Sequence, residues 1–192
     1  RSARGVALQV AEPTDSAVVS LADTLDDYLG MLSKKQRHEG RRQRRRYEDV
    51  LGEVVQEVHH EPDWAFDEFI RLHRLSDGEK GQFMTAQRER FFATLVQLEG
   101  WRLDVLRVPD TDRAAASLFS FSDDEAIYLY NSAYDPGLAD ASPGIAIVGT
   151  LIEQAIAEGL PRFDFLKGDE SYKFRLGAEP RPLYRISAGG SS

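Results

Sequence analysis

The chain has 192 residues, enough for one domain with a sizeable core, and carries 24 basic against 32 acidic residues, a net −8. Its 42% hydrophobic and 29% charged composition fits a soluble globular protein, and no run of about 18 apolar residues marks a membrane-spanning helix. The absence of Cys excludes disulfides and cysteine nucleophiles and suits a reducing cytoplasm.

In chain order, Gly5 to Glu12 alternates apolar and polar residues and predicts a strand, broken at Pro13 to Ser16. Leu25, Tyr28, Leu29 and Leu32 recur at helical spacing. Ser33 and Gln36 have capping-box spacing, so a further helix starts there and runs to about Asp49. "EVVQEVHH" reads as a strand, and Asp63 caps the helix "DWAFDEFIRLHRL". "SDGEKGQF" reads as a glycine-punctuated loop, followed by a helix from about Thr85 to Glu99 that Gly100 stops. "WRLDVLRV", "AAASLFSF" and "AIYLYNS" are strands joined by short polar turns, which favours an antiparallel meander. A loop leads to an amphipathic helix, Ile145 to Glu158, then the strand "RFDFL", a polar loop with a short helix, the last strand "RPLYRI" and a flexible "AGGSS" tail. This order predicts an α+β, or mixed α/β, domain.

Eight basic residues crowd Lys34 to Arg46, with Glu39 the only acid among them. Outside this segment the chain is net −15. Such a body opposes duplex DNA everywhere except along one helix. The basic positions surround the helix, so it has no clean apolar face for a membrane surface. A solvated helix and an anion site both fit.

Two stretches could carry chemistry. "SPG", Ser142 to Gly144, opens a helix after a strand and loop: Ser142 is placed to cap, Pro143 suits the first helical position, and Gly144 lets a ligand approach the backbone. The free N–H groups and the helix dipole there suit a phosphate, although the same residues also make an ordinary well-capped helix. "DFLKGDESYK" places Asp164, Tyr172 and Lys173 within ten residues, a set suited to general acid–base work and oxyanion support, and equally to a surface turn of loose ion pairs. His38, His59, His60 and His73 have no zinc-site spacing, so no metal is expected, and His73 suits a structural histidine on an apolar helix. There is no phosphate-loop lysine motif, dinucleotide fingerprint or Gly-x-Ser-x-Gly elbow.

Together, "LSKKQRHEGRRQRRRYE", "FIRLHRLS" with "KGQF", "YLYNSAYDP", "SPG" and "FDFLKGDESYKFRLGA" resemble the GNAT superfamily of acyltransferases. More narrowly they resemble acetyltransferases labelled as cellulose-biosynthesis (CelD/BcsL-like) proteins, relatives of the Fem-type aminoacyltransferases. The resemblance covers roughly Leu25 to Tyr184. It implies a GNAT fold, a twisted and mostly antiparallel sheet flanked by helices and splayed where acyl-CoA sits. Family members usually carry two GNAT-like halves, and this chain resembles the second. Residues 1–20 are then a strand or linker remnant of the first half, residues 21–187 the domain, and residues 188–192 a tail. The superfamily's usual Gln/Arg-rich glycine loop is absent, and Leu176 stands where the family often has Trp.

The resemblance implies roles. Tyr172 lies near the place where many GNAT enzymes keep the Tyr that protonates the leaving thiolate, and Lys173 matches the lysine that supports the transition state in Fem-type relatives. Asp164 or His73 would accept a proton. Asn131, Ser142, Pro143, Gly144 and Ile145 would bind the donor, acetyl-CoA or another acyl-CoA. Lys80, Arg37 and Arg41 would face the acceptor, a small or saccharide-linked amine or hydroxyl. A homodimer, or a missing N-terminal half, is the implied partner. Two other functions fit: an aminoacyltransferase whose basic helix docks tRNA, and a non-catalytic module working by protein contact.

Overall fold

The computed structural model describes residues 7–10, 14–76 and 79–189. The elements run β1 (Ala7–Val10), β2 (Thr14–Ser20), α1 (Leu25–Met31), α2 (Lys34–Leu51), β3 (Gln56–His59), α3 (Trp64–Leu75), α4 (Glu79–Phe83), α5 (Ala86–Leu95), β4 (Trp101–Arg107), β5 (Ala114–Ser122), β6 (Ala126–Tyr134), a 3-10 turn (Pro136–Ala141), α6 (Pro143–Ala157), β7 (Arg162–Lys167), α7 (Ser171–Arg175), β8 (Glu179–Leu183) and β9 (Ile186–Gly189). Seven strands form one sheet in the order β3-β4-β5-β6-β7-β2-β8, while β1 and β9 pair as a separate ribbon. Among the described strands only β6 and β7 are parallel neighbours, so the sheet is mostly antiparallel with helices on both faces, as the motif set implies.

Local chemistry sets the helix starts. Ser33 accepts from Gln36 N–H while the Gln36 side chain accepts from Ser33 N–H, completing the capping box of α2. Asp63 and Thr85 cap α3 and α5 in the same way. The strands alternate between two cores. On one face Ile147, Leu151 and Ile152 of α6 pack with Tyr47, Leu118, Ile127 and Phe163. On the other, Phe66, Phe69, Leu72 and Phe92 of α3 and α5 pack with Leu103, Val105 and Phe119. Pro180 and Pro182 lie in β8, an edge strand, where a missing backbone donor is tolerated and blocks further pairing.

Four local assignments change. Thr14–Ser20, expected to be a break and linker, is the strand between β7 and β8. Glu79–Phe83 is a short helix rather than loop. The last strand divides into β8 and β9. The expected flexible tail begins too early, because Ala188 and Gly189 pair with Leu8 and Ala7; residues 190–192 lie outside the described residues. No helix among the described residues is long and apolar enough to cross a membrane.

Candidate active site

The site is created where β6 and β7 part. β6 has nine residues and β7 six, yet only three pairs join them: Ala126 with Arg162, Ile127 with Phe163, and Tyr128 with Asp164. Two local distortions follow. β6 bulges, since Phe119 faces Asn131 while the next residue, Ser120, faces Leu129, leaving Tyr130 as the extra residue. β7 turns away at Leu166, which sits in the left-handed region at φ 56 and is held by its N–H to Asp164 Oδ1 at 2.7 Å. Gly168 follows at φ 128. Positive φ at a non-glycine residue costs energy, and such residues concentrate at functional sites.

On the α6 face, Ser132, Tyr134, Ser142, Gly144, Ile145 and Tyr172 surround an open cavity of about 290 Å³. The structure therefore brings Tyr172 to the Ser-Pro-Gly turn. The expected cap is different in detail. Ser142 ends the 3-10 turn in left-handed geometry (φ 54, ψ 44), and its hydroxyl makes no capping bond. Sharing one residue between two helices forces this geometry. The Ile145 and Ala146 N–H groups both donate to Ser142 O, at 3.1 and 3.2 Å, and Pro143 has none to give. Gly144 is small because Tyr134 crosses it: a Cβ there would lie 3.2 Å from Tyr134 Cδ1. The α6 dipole and the Gly144 N–H are what this terminus offers an anion.

Tyr172 and Lys173 point in different directions from α7. The Tyr172 ring stands edge-on to Phe165, and burial, with help from Glu170, pushes its phenol up to about 12. It is therefore protonated throughout the neutral range, and burial makes it a weaker acid than a free phenol. Lys173 is 3% exposed. Its Nζ meets Glu170 Oε2 at 2.7 Å and the carbonyls of Phe165, Lys167 and Gly168 at 3.3–3.4 Å. It thus clamps the loop that leaves β7. Asp164 projects to the opposite face from Phe163 and Phe165, and its Oδ1 also accepts from Ser16 Oγ at 2.7 Å.

The α3 face holds the remaining candidates. His73 is fully buried, with Nδ1 2.9 Å from Phe69 O and Nε2 2.7 Å from Asn131 Oδ1. Packing of α3 onto the sheet thus makes it a positioning group for Asn131, and it lacks the open access of a free base. Asn131, expected to bind the donor, turns away from the Ser142–Ile145 cavity because the bulge sends it toward α3. Tyr130 packs on Phe92 and Trp101 and remains 45% exposed. The Lys80 side chain lies outside the described residues. Arg37 donates to the Leu29 and Leu32 carbonyls and closes the turn between α1 and α2. Arg41 lines a cavity between α2 and α6. Spacing could not reveal the bulge at Tyr130 or the Ser16–Asp164 bond, which joins residues 148 apart. No cluster of three or more potential metal ligands occurs among the described residues.

Comparison with known proteins agrees with this geometry. No functionally curated protein matches the sequence. Solved structures share the fold at low identity. A conserved protein of unknown function from Bacteroides thetaiotaomicron VPI-5482 has a TM-score of 0.66 at 11% identity, covering 95% of this chain and 62% of its own. The L-PGS of Bacillus licheniformis has 0.64 at 16%, covering 96% and 62%, and FemX has 0.62 at 12%, covering 88% and 60%. This chain thus spans about three fifths of the length of each. The model of the acetyltransferase (GNAT) domain family matches residues 34–174, from the basic helix through α7. With most of its length inside that match and its sheet opened between β6 and β7, the chain belongs to the acetyltransferase (GNAT) domain family.

Proposed function

We propose that the chain transfers an acyl group, acetyl in the simplest case, from acyl-CoA to an amine or hydroxyl. The observation that carries this reading is the cavity at the parting of β6 and β7, with the α6 N-terminus and Tyr172 on its wall. The apolar Ile145 and Val148 suit the donor's pantetheine arm, and the α6 terminus suits its pyrophosphate. The donor contributes an activated acyl carbonyl near the gap between the strands. The acceptor approaches from the α3 face, where Tyr128, Tyr130 and Asp164 lie. Its nucleophile attacks the carbonyl and loses its proton to Asp164 through water. The C–S bond breaks, and Tyr172 gives its proton to the departing thiolate. Lys173 and the His73–Asn131 pair hold the two strand ends that frame the gap.

Likeness of the motifs to the cellulose-biosynthesis-labelled acetyltransferases supports a saccharide-linked acceptor, and an acyl-CoA donor carries a cytoplasmic location with it. The structural likeness to FemX and L-PGS, together with exposed Arg42, Arg45 and Arg46 on α2, favours a second reading in which the donor is aminoacyl-tRNA. Calorimetry decides between them. Acetyl-CoA binding that is lost in Gly144→Asp supports the first reading. Binding of charged tRNA with none of acetyl-CoA supports the second. Binding of neither leaves an interaction module.

A further inference from the structure

A second cavity, of about 150 Å³, lies between α1, α2 and α6 and shares Ile145 alone, among the described residues, with the donor cavity described above. Leu25, Leu29, Leu32, Val54, Ile145 and Ile152 provide an aliphatic wall. A dry cavity of about this size lined by such residues accommodates a benzene-sized group, roughly six carbons. Two glycines keep it open. Gly40 of α2 and Gly149 of α6 both line it, and a Cβ added at either would meet nothing within 4 Å. Internal packing therefore does not require glycine at these sites, although glycine within a helix costs about 0.8–1.0 kcal/mol relative to alanine.

The mouth is cationic. Arg37, Arg41, Arg44 and Arg175 all line the cavity, and among the described residues Glu153 is its one lining acid. Arg44 neutralises Glu153 at 2.9 Å, and Arg37 is held by backbone carbonyls. Among the described residues Arg41 has no ion pair, and Arg175 bonds only the Ser171 hydroxyl, at 3.2 Å. Glu39, which stands near Arg175, is committed to Arg42. Arg41 thus lines an apolar cavity with no ion pair among the described residues, and Arg175 feels only the field of Glu39, whose hydrogen bonds go to Arg42 and Gln43.

We infer that this cavity binds a medium-length alkyl or acyl chain carrying an anionic head, with the chain among the leucines and the head at Arg41 and Arg175. The inference does not depend on which donor the transfer site uses. The test is calorimetry with the straight-chain carboxylates from butanoate to decanoate, kept below micelle formation, together with octyl phosphate and neutral hexanol. Affinity should rise about fourfold per methylene, about 0.8 kcal/mol, and flatten beyond about six carbons. Hexanol should bind at least tenfold more weakly than hexanoate. A preference for octyl phosphate over octanoate points to a phospholipid-like source, and the reverse to a free fatty acid. Gly149→Leu should fill the cavity and weaken octanoate at least tenfold. If that variant does not fold, Gly40→Leu fills it from the other wall. Arg41→Gln with Arg175→Gln should weaken octanoate and flatten its dependence on NaCl. Affinity indifferent to chain length, equal binding of hexanol and hexanoate, or undiminished octanoate binding in a folded leucine variant would each overturn the inference.

Discussion

Replacing Lys173 with Met separates a clamp from a catalyst. The substitution keeps most of the stem against Phe165 and removes the ammonium. The Nζ–Glu170 contact is short, at 2.7 Å, but the Glu170 side chain is 58% exposed, so solvent screening leaves this pair about 0–1 kcal/mol. The three carbonyl contacts are long, at 3.3–3.4 Å, yet they converge on a nitrogen of a side chain that is 4% exposed. Leaving the buried Phe165 carbonyl without this donor costs about 1–3 kcal/mol, and the part-buried bonds to the Lys167 and Gly168 carbonyls add less. We therefore expect Lys173→Met to lose about 2 kcal/mol of stability. For a chain of this size that lowers Tm by about 4–8 °C. Lys173→Ala should cost more, because it also empties the space the stem fills. Melting curves followed by circular dichroism, with kcat measured well below Tm, test this directly. A Lys173→Met protein that melts with the wild type but loses 100-fold or more in kcat would refute the clamp and return Lys173 to the reacting atoms.

Three further outcomes are expected. Tyr172→Phe should keep Tm within a few degrees while kcat falls about 10²–10⁴-fold, because it removes one proton and little packing; full activity in steady-state assays would remove Tyr172 from the mechanism. Gly144→Asp should weaken acetyl-CoA at least tenfold, about 1.4 kcal/mol, since its Cβ presses on Tyr134 and its charge opposes a phosphate; equal calorimetric affinity would move the donor elsewhere. Tyr28, Tyr47 and Tyr172 are each pushed up to about 12, chiefly by burial, so the stability they contribute is full below pH 10 and is lost as pH rises from 10 toward 12. In that window each group costs about 1.4 kcal/mol per pH unit, and ultraviolet titration with all seven tyrosines ionising near pH 10 before unfolding would contradict it.

What sequence reveals here depends on the range of the contacts. The capping box at Ser33 and Gln36, the Asp63 cap and Pro143 at the first position of α6 are local devices, and each appears where spacing predicts it. The meander of β4, β5 and β6 is legible for the same reason, since its turns are short and polar. β2 was not, because "TDSAVVS" looks polar at its start and finds its partners near residues 162–167 and 179–183. Within the site, Asp164, Tyr172 and Lys173 share a ten-residue window, yet spacing cannot show that Tyr172 turns toward α6 while Lys173 turns under β7. The same limit applies to His73, whose apolar neighbours predict burial but not its partnership with Asn131 across 58 residues. The motifs place these candidates in short windows, and the fold distributes them over opposite faces of the sheet.

The basic helix of an otherwise acidic chain is partly accounted for by packing. Arg42 pairs with Glu39, and Arg44 with Glu48 and with Glu153 on α6, so part of its charge fastens it to its own body. Gln36, Gly40, Gln43 and Tyr47 recur along one stripe of α2; Gln36 bonds Phe174 O, Gly40 and Gln43 line the cavities, and Tyr47 is buried. Lys34, Lys35, Arg41, Arg45 and Arg46 have no ion pair among the described residues. At physiological salt their field decays over about 8 Å, whereas 18 helical residues extend about 27 Å. A small anion seated at one point of α2 feels several of these charges and little of the acidic body. A long polyanion laid across the protein would leave the helix within a turn or two of its own structure and meet a surface that is net negative. Of the two donors proposed above, the charge distribution therefore weighs toward acyl-CoA, whose compact phosphates suit this helix, and against a long stretch of tRNA, for which the exposed arginines of α2 offer a short docking length.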